Sequence, residues 1–223
     1  MSRAKLAACS ITLGLALAGC RARPIPCMSP EGCAPSQSCT AGRCVAPSSE
    51  VAPESARRIR VLPIEMAVVS SRGGGGGGSL PPEIALGGAA LGSIVVLLKF
   101  PTPWGNHVRV ASAFLTLEPS EGSLPETQPV EVSVSRVLEP WSKAEVSWGR
   151  LPRLSTPEAR AFATASPPKT LRIDVSAIVQ RWARGRTNEQ GIALMTGPDA
   201  STGATYSTGI SGAPGPRLDV YLR

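Results

Sequence analysis

The chain has 223 residues and a formal net charge of +7. Its lysines and arginines are scattered and form no cluster interleaved with aromatic residues, which argues against a nucleic-acid-binding protein. After the N-terminal region there is no stretch of about 18 uncharged apolar residues, so the sequence predicts no later membrane-spanning helix.

The first twenty residues have the pattern of an export signal. Two basic residues, Arg3 and Lys5, precede an apolar stretch over residues 6–17, which is too short to span a bilayer. The stretch ends in Leu-Ala-Gly-Cys at residues 17–20, which resembles the lipobox of bacterial lipoproteins. The alternative interpretation is an ordinary signal peptide followed by a chance cysteine.

The lipobox resemblance implies that residues 1–19 are removed, that the Cys20 thiol is diacylated, and that residues 20–26 form a lipidated anchor on a membrane. Removal of Arg3 and Lys5 lowers the net charge by two, from +7 to +5. By the sorting rule known for enteric bacteria, Arg21 at the second position of the mature chain favours the outer membrane. The expected location is therefore the cell envelope.

A cysteine-rich segment follows over residues 27–44. Four cysteines in an exported segment predict two disulfides, with three connectivities left open. These cysteines are Cys27, Cys33, Cys39 and Cys44. A zinc site is the less favoured alternative, because the spacing has no CxxC pair and no histidine lies nearby. The segment resembles small knots in myxobacterial surface proteins, and with the Pro- and Ser-rich linker over residues 45–57 we interpret it as a spacer.

From residue 58 to residue 223, short β-branched and apolar segments alternate with Pro- and Gly-rich turns, which predicts an antiparallel β-sandwich. The six glycines at residues 73–78 are followed by neither Lys nor a helix, so we interpret them as a surface loop rather than a phosphate-binding loop. The predicted strands are one over residues 59–69 that is interrupted near Pro63, and then residues 93–100, 108–117, 130–135, 171–175, 191–196, 204–208 and 217–222.

One amphipathic helix is predicted over residues 176–185. Ser176 is expected to cap its N-terminus, and Gly185 is expected to end it. We interpret it as a packing helix, in which Trp182 closes one mouth of the sandwich.

An ordered set of motifs in this domain resembles the DNRLRE family. The set comprises Leu97-Leu98-Lys99-Phe100, the segment from Ala111 to Leu117, Val134-Ser135-Arg136-Val137 with Trp141 and Trp148, Asp174-Val175-Ser176 with Val179-Gln180-Arg181-Trp182, Asn188 with Gly191-Ile192-Ala193-Leu194, and Pro216 to Val220. The resemblance implies an all-β protein, a jelly-roll β-sandwich of the carbohydrate-binding-module type with one short helix. The disulfide knot and the lipoprotein signal peptide would precede it.

The resemblance also implies that Trp141, Trp148 and Trp182 occupy core positions. Some relatives are attached to secreted polysaccharide lyases, and some bind acidic polysaccharide such as alginate. The chain departs from the family pattern at Glu65-Met66-Ala67, at the glycine run and at residues 205–209. Ligand contacts at those positions are therefore not carried over.

Enzymatic chemistry is not expected. His107 is the only histidine, no Gly-x-Ser-x-Gly nucleophile motif is present, and the few acidic residues lie mostly beside Pro or Ser. The sequence therefore predicts no catalytic residue, no metal site and no cofactor.

A binding role is expected instead, with the membrane reached through the lipid anchor and a polysaccharide as the ligand. Arginine forks bind carboxylates, which makes the basic residues candidates for an acidic glycan, and aromatic residues outside the core positions are expected to be exposed. The candidate ligand residues are Trp104, His107, Arg136, Lys143, Arg150, Arg153, Arg172 and Tyr206. The alternative is a structural or adhesive envelope lipoprotein without a small ligand.

Overall fold

The computed structural model describes most of the predicted sandwich domain. The described residues are 38–40, 43–45, 56–72, 80–87, 92–104, 108–120, 129–163, 169–185, 190–197, 203–210 and 212–223. Several predicted features lie outside these ranges, namely the signal peptide, Cys20, Cys27, Cys33, the glycine run and His107.

Within these ranges the protein consists of strands and one short helix. The helix, α1, spans Ser176–Ala183. The strands are β1 (Ser38–Thr40), β2 (Arg43–Val45), β3 (Arg57–Val61), β4 (Glu65–Ser70), β5 (Glu83–Gly87), β6 (Ile94–Lys99), β7 (Val110–Leu117), β8 (Val130–Arg136), β9 (Ala159–Ala163), β10 (Leu171–Asp174), β11 (Ile192–Thr196), β12 (Gly203–Ser207) and β13 (Arg217–Leu222).

Two larger antiparallel sheets form the body of the domain. One has five strands in the order β4-β6-β11-β8-β9, and the other has four in the order β10-β7-β13-β3. Leu115 and Val220 of the four-stranded sheet pack in the same buried cluster as Val96 and Leu194 of the five-stranded sheet. The all-β class and the antiparallel sheets are thus confirmed, and the two sheets enclose one hydrophobic core.

Two smaller ladders accompany the sheets. β5 pairs with β12, and its Ile84 and Leu86 are fully buried in the main core. β1 pairs with β2 in a register that places Cys39 opposite Cys44. The disulfide connectivity stays a prediction, because two of the four cysteines lie outside the described residues.

The chain changes sheets between β3 and β4. The predicted single strand over residues 59–69 is wrong, because β3 pairs with β13 in the four-stranded sheet whereas β4 pairs with β6 in the five-stranded sheet. Pro63 lies in the connection, where its missing N–H costs no ladder hydrogen bond. The connection is therefore a crossover from one sheet to the other rather than a break within a strand.

β6 is buried on both of its faces. Val96 and Leu98 point into the main core, whereas Val95 and Leu97 belong to a second buried cluster on the outer face of the five-stranded sheet. This explains why the sequence of β6 is continuously apolar instead of alternating.

The helix α1 packs beside the first half of β7, where β10 does not extend. The prediction that Ser176 caps the helix is wrong, because Ser176 is already helical and its hydroxyl accepts the N–H of Ala113 at 2.9 Å. Gly185 ends the helix as predicted, since its φ is 61° and its N–H donates to the carbonyl of Trp182 at 3.0 Å. Among the described residues, no helix has the length and apolar character needed to cross a bilayer.

Candidate functional site

The outer face of the five-stranded sheet is covered by the connection between β8 and β9. We call residues 137–155 of this connection the cap segment. Trp141 and Val146 of the cap segment pack on Val69 and Leu97 of the sheet in the second buried cluster. The apolar outer face of the sheet is thereby removed from water, and the rest of the cap segment is left to carry exposed side chains.

Lys99 fixes the cap segment to the sheet. Its Nζ lies 2.6 Å from Oε2 of Glu65, donates to the carbonyl oxygen of Trp141 at 2.7 Å, and lies 4.8 Å from the centre of the Trp141 ring. The indole N–H of Trp141 donates to the carbonyl oxygen of Gln190 at 2.7 Å. Trp141 is thus held by an ammonium–ring contact and by hydrogen bonds at both its backbone and its ring.

Glu65 contacts the cap segment a second time. Its Oε1 accepts the backbone N–H of Lys143 at 2.7 Å. Desolvation raises the pKa of the Glu65 carboxyl, but the hydrogen bonds from Lys99 and Lys143 and the charges of both lysines outweigh it, so that the pKa lies below its ordinary value. Glu65 therefore remains ionised and holds Lys143 next to the start of β4.

The predicted basic candidates divide into two groups. The first group, Arg136 and Arg172, lies outside the cap segment. Arg136 is paired with Glu158, which also binds Arg181 at 3.3 Å. Arg172 lies 3.9 Å from the centre of the Phe114 ring, and both residues belong to the four-stranded sheet. The second group lies on the cap segment, and its members are Lys143, Arg150 and Arg153.

The three basic residues of the cap segment have exposed side chains. Arg153 lies 3.4 Å from Glu139, and both of these side chains are exposed. Lys143 and Arg150 have no ion pair among the described residues that the structure records. The structure thus leaves the side chains of these three basic residues exposed, which their spacing in the sequence alone did not require.

Two of the three aromatic residues that the sequence predicted to be exposed are buried. Trp104 and Tyr206 were expected to be exposed, but only 5% and 1% of their surfaces are accessible, because both pack in the main core. Burial raises the pKa of the Tyr206 phenol. Neither ring can stack on a ligand at the surface, and the remaining aromatic candidate, His107, lies outside the described residues.

Trp148 departs from its expected core position. Trp141 is buried and Trp182 packs partly buried against the main core, as the family resemblance implied, but Trp148 is 40% exposed. The N–H of Arg150 donates to the carbonyl oxygen of Ser147 at 2.9 Å, which closes a tight turn with Trp148 and Gly149 at its tip. The Trp-Gly dipeptide was the sequence signal for this turn.

Two depressions border the cap segment. The smaller, of ≈ 370 Å³, is lined by Glu139, Trp141, Glu145 and Arg150 among others. The larger, of ≈ 830 Å³, lies at the crossover between β3 and β4, and Lys143 lines it. Of the exposed basic residues of the cap segment, Arg150 thus lines the smaller depression and Lys143 lines the larger one.

A cluster of arginines that sequence reasoning missed lies on the outer face of the four-stranded sheet. Arg58, Arg60 and Arg217 surround the buried carboxylate of Asp219 at 2.9, 3.4 and 3.7 Å. The sequence signal for this cluster was the two-residue spacing of Arg58 and Arg60 in β3, because side chains two positions apart in a strand lie on the same face.

The exposed side chains of the cap segment include groups that can contact a ligand. The segment offers one exposed indole ring with three basic side chains near it in the chain. Within the described ranges, no group of three His, Cys, Asp or Glu side chains is placed to hold a metal ion. No family model matches the chain, and no curated protein matches it. The resemblance to DNRLRE domains thus rests on the motifs themselves.

Proposed function

We propose that the protein is a surface-anchored, non-catalytic module that binds acidic polysaccharide through the cap segment. The observation that carries this proposal is the exposed ring of Trp148 on a tight turn, followed along the chain by the exposed Arg150 and Arg153. The two antiparallel sheets around one core support the interpretation of the domain as a jelly-roll β-sandwich of the DNRLRE type. This is the architecture of the carbohydrate-binding-module type.

The chemistry of these residues fits a uronate polymer. An indole ring offers a large, rigid apolar surface against which a sugar ring can lie, at a small cost in side-chain entropy. The guanidinium groups of Arg150 and Arg153 can each bind a carboxylate with two hydrogen bonds, and Lys143 adds a point charge. The combination fits a sugar chain that carries several carboxylates.

The direction of the chain supports the same proposal. The linker enters the sandwich at Arg57, the first residue of β3, whereas the crossover lies at the far end of that strand. Lys143 is bound to Glu65 directly after the crossover. A chain tethered through the linker would thus hold Lys143 away from its point of attachment and towards material outside the cell envelope.

The anchor is part of the proposal. Residues 1–19 would be removed as a signal peptide, and Cys20 would carry the lipid that holds the protein on the outer membrane. Two disulfides within residues 27–44 and the linker over residues 45–57 would then separate the membrane from the sandwich.

A structural envelope lipoprotein without a small ligand is the second candidate. The observation in its favour is that Arg136 and Arg153 already have carboxylate partners within the chain, Glu158 and Glu139. An acidic glycan would have to compete with these partners, although an exposed ion pair such as that of Arg153 is worth less than about 1 kcal/mol.

Electrophoresis of the full chain through gels containing alginate tests the proposal, with neutral dextran as the comparison polymer. We expect alginate to retard the protein, and high salt to abolish the retardation because it screens exposed charges. Trp148→Ala should weaken the affinity for alginate by roughly 5- to 150-fold, since one stacked aromatic ring is worth about 1–3 kcal/mol by analogy with bases stacked on aromatic side chains.

The chain offers a matched pair of control variants. Arg153 and Arg160 are both exposed, and each has one carboxylate partner, Glu139 for the former and Glu131 for the latter. Arg160 lies in β9, outside the cap segment. Arg153→Ala should reduce the retardation and Arg160→Ala should leave it unchanged. An equal loss in both variants would show a nonspecific charge effect, and no retardation at all would favour the structural role.

A further inference from the structure

A groove of ≈ 830 Å³ lies at the crossover end of the sandwich. The connection between β3 and β4 forms one side of it, and residues that follow β12 form the other. This volume is within the range that holds a drug-sized ligand, about 300–1,000 Å³. The groove is thus large enough for part of a polymer chain with its substituents.

Exposed aliphatic side chains surround this groove. Leu62, Ile64 and Ile210 line it and are 61%, 67% and 61% exposed. Within the described ranges, the one other exposed large hydrophobic residue is Trp148. Large apolar side chains that are concentrated in this way on a soluble surface indicate a contact region. Among the described residues, no aromatic side chain lines the groove, so this part of the chain offers no surface there on which a sugar ring stacks.

The charge of the groove is complementary to an anion. Its acidic residues already have cationic partners, since Glu118 lies 2.6 Å from Arg217 and Glu65 lies 2.6 Å from Lys99. Its basic residues Arg60 and Lys143 are exposed, and Arg60 shares the single carboxylate of Asp219 with two other arginines. The exposed, incompletely balanced charge in the groove is therefore positive.

We propose that this groove binds ester groups on the acidic polysaccharide, with the ester methyl groups against Leu62, Ile64 and Ile210 and neighbouring carboxylates against Arg60 and Lys143. The inference rests on the proposed function and specifies its substrate class as an O-acetylated uronate polymer. Aliphatic side chains match a methyl group in size, whereas an unsubstituted sugar presents mostly hydroxyl groups to the groove.

Lys143 connects the two surfaces. It belongs to the cap segment that carries Trp148, and it also lines the groove. In this proposal one polymer chain contacts the indole ring and continues along the cap segment into the groove. In this arrangement Trp148 determines binding of the sugar chain itself, and the aliphatic residues determine preference among its substituted forms.

Affinity electrophoresis of the full chain with O-acetylated alginate, and with the same polymer after mild alkaline removal of the acetyl groups, tests this inference. We expect the acetylated polymer to bind about fourfold more tightly for each methyl group that the groove removes from water. The variant Leu62→Ser/Ile64→Ser/Ile210→Ser should lose this preference and still bind the deacetylated polymer. All three positions are exposed, so the variant should fold.

The matched control is Trp148→Ala, which should weaken binding of both polymers by the same factor. Equal binding of the two polymers by the unmodified protein would overturn the inference and leave the proposed function intact. Failure to bind either polymer would overturn the proposed function, and the inference with it. If the triple-serine variant instead abolished self-association in gel filtration, the groove would be an interface between two copies, and the inference would be wrong.

Discussion

The outer faces of the two sheets are built from opposite kinds of residue. On the five-stranded sheet the outer face of β4, β6 and β11 presents small and aliphatic side chains, and the cap segment covers these strands with Trp141 and Val146. On the four-stranded sheet the outer face presents Arg58, Arg60 and Asp219 in alternation with buried residues. One face requires a covering segment to exclude water, and the other does not.

The four-stranded sheet stabilises its outer face with contacts among its own side chains. Phe114 and Tyr221 meet edge to face with ring centres 6.1 Å apart, and Arg172 lies above the Phe114 ring. Asp219 accepts hydrogen bonds from Arg58 and Arg60. Cross-strand contacts of this kind make an exposed sheet face stable without a further layer.

The comparison shows how the candidate site arises. An apolar sheet face needs a cover, and a long connection that serves as a cover has to turn several times over that face. Its inward residues become core, whereas its turns carry exposed residues such as Trp148 and Arg150. The site is thus a consequence of covering the five-stranded sheet, and the self-contained four-stranded sheet has no equivalent segment among the described residues.

The largest expected loss of stability comes from removing the side chain that holds the cap segment on the five-stranded sheet. Trp141→Ala should lower the free energy of unfolding by about 3–5 kcal/mol, because a buried indole is replaced by a cavity and the contact with Lys99 is lost. Denaturant unfolding of the full chain measures this. The control is Trp148→Ala, which should change stability by less than about 0.5 kcal/mol. Equal losses in the two variants would mean that the cap segment is not held through Trp141.

The next largest effect is expected on the outer face of the four-stranded sheet. Asp219→Asn should cost about 1.5–3 kcal/mol, because the amide oxygen accepts the arginine hydrogen bonds without the negative charge of the buried carboxylate, and three arginines remain close together. Glu131→Gln removes the exposed partner of Arg160 and should cost less than about 1 kcal/mol. If both changes had the same small effect, the four-stranded sheet would not depend on its buried carboxylate.

The smallest effect is the pH dependence of the link between the cap segment and β4. The pKa of Glu65 is below its ordinary value of 4.5 in the folded protein. Its stabilising contribution is therefore fully present above pH 4.5 and is lost as the pH falls through the lower folded pKa. Glu65→Gln should cost less than about 1 kcal/mol at neutral pH, since the group is partly exposed.

Unfolding measured at neutral pH and at acidic pH checks this sign. The difference in stability between the unmodified protein and Glu65→Gln should shrink towards zero as the pH is lowered below the ordinary carboxyl value. A difference that grew on acidification would contradict the ion pair with Lys99 as its cause.

Alternating patterns in the sequence were sufficient for most strands. Val130, Val132 and Val134 alternate with polar residues and form β8, whose valines are buried. β1, β2, β5 and β9 were not predicted. β9 has the sequence Ala-Arg-Ala-Phe-Ala, and alanine favours strands only weakly. The register with β8 makes it a strand, and that register depends on tertiary contacts.

The exposure of aromatic residues could not be predicted in the same way. Trp104 and Tyr206 lie outside the strongest apolar runs, yet both are buried because they fill the main core. Trp148 follows the family motif, yet it lies at the tip of a turn. Strand propensity indicates which segments form strands. It does not indicate which side chains of a connection face a sheet, because that depends on residues distant in the sequence.

By itself the sequence determined the antiparallel β class, the position of the helix and its end at Gly185, and the basic residues from which a binding site can be built. These follow from local physics, namely the two-residue period of strands and the freedom of glycine at positive φ. Only the tertiary structure decided that β3 and β4 belong to different sheets and that Lys143, Arg150 and Trp148 are exposed together on the cap segment. Those outcomes depend on an apolar sheet face being covered, and that requirement exists only once the strands have assembled.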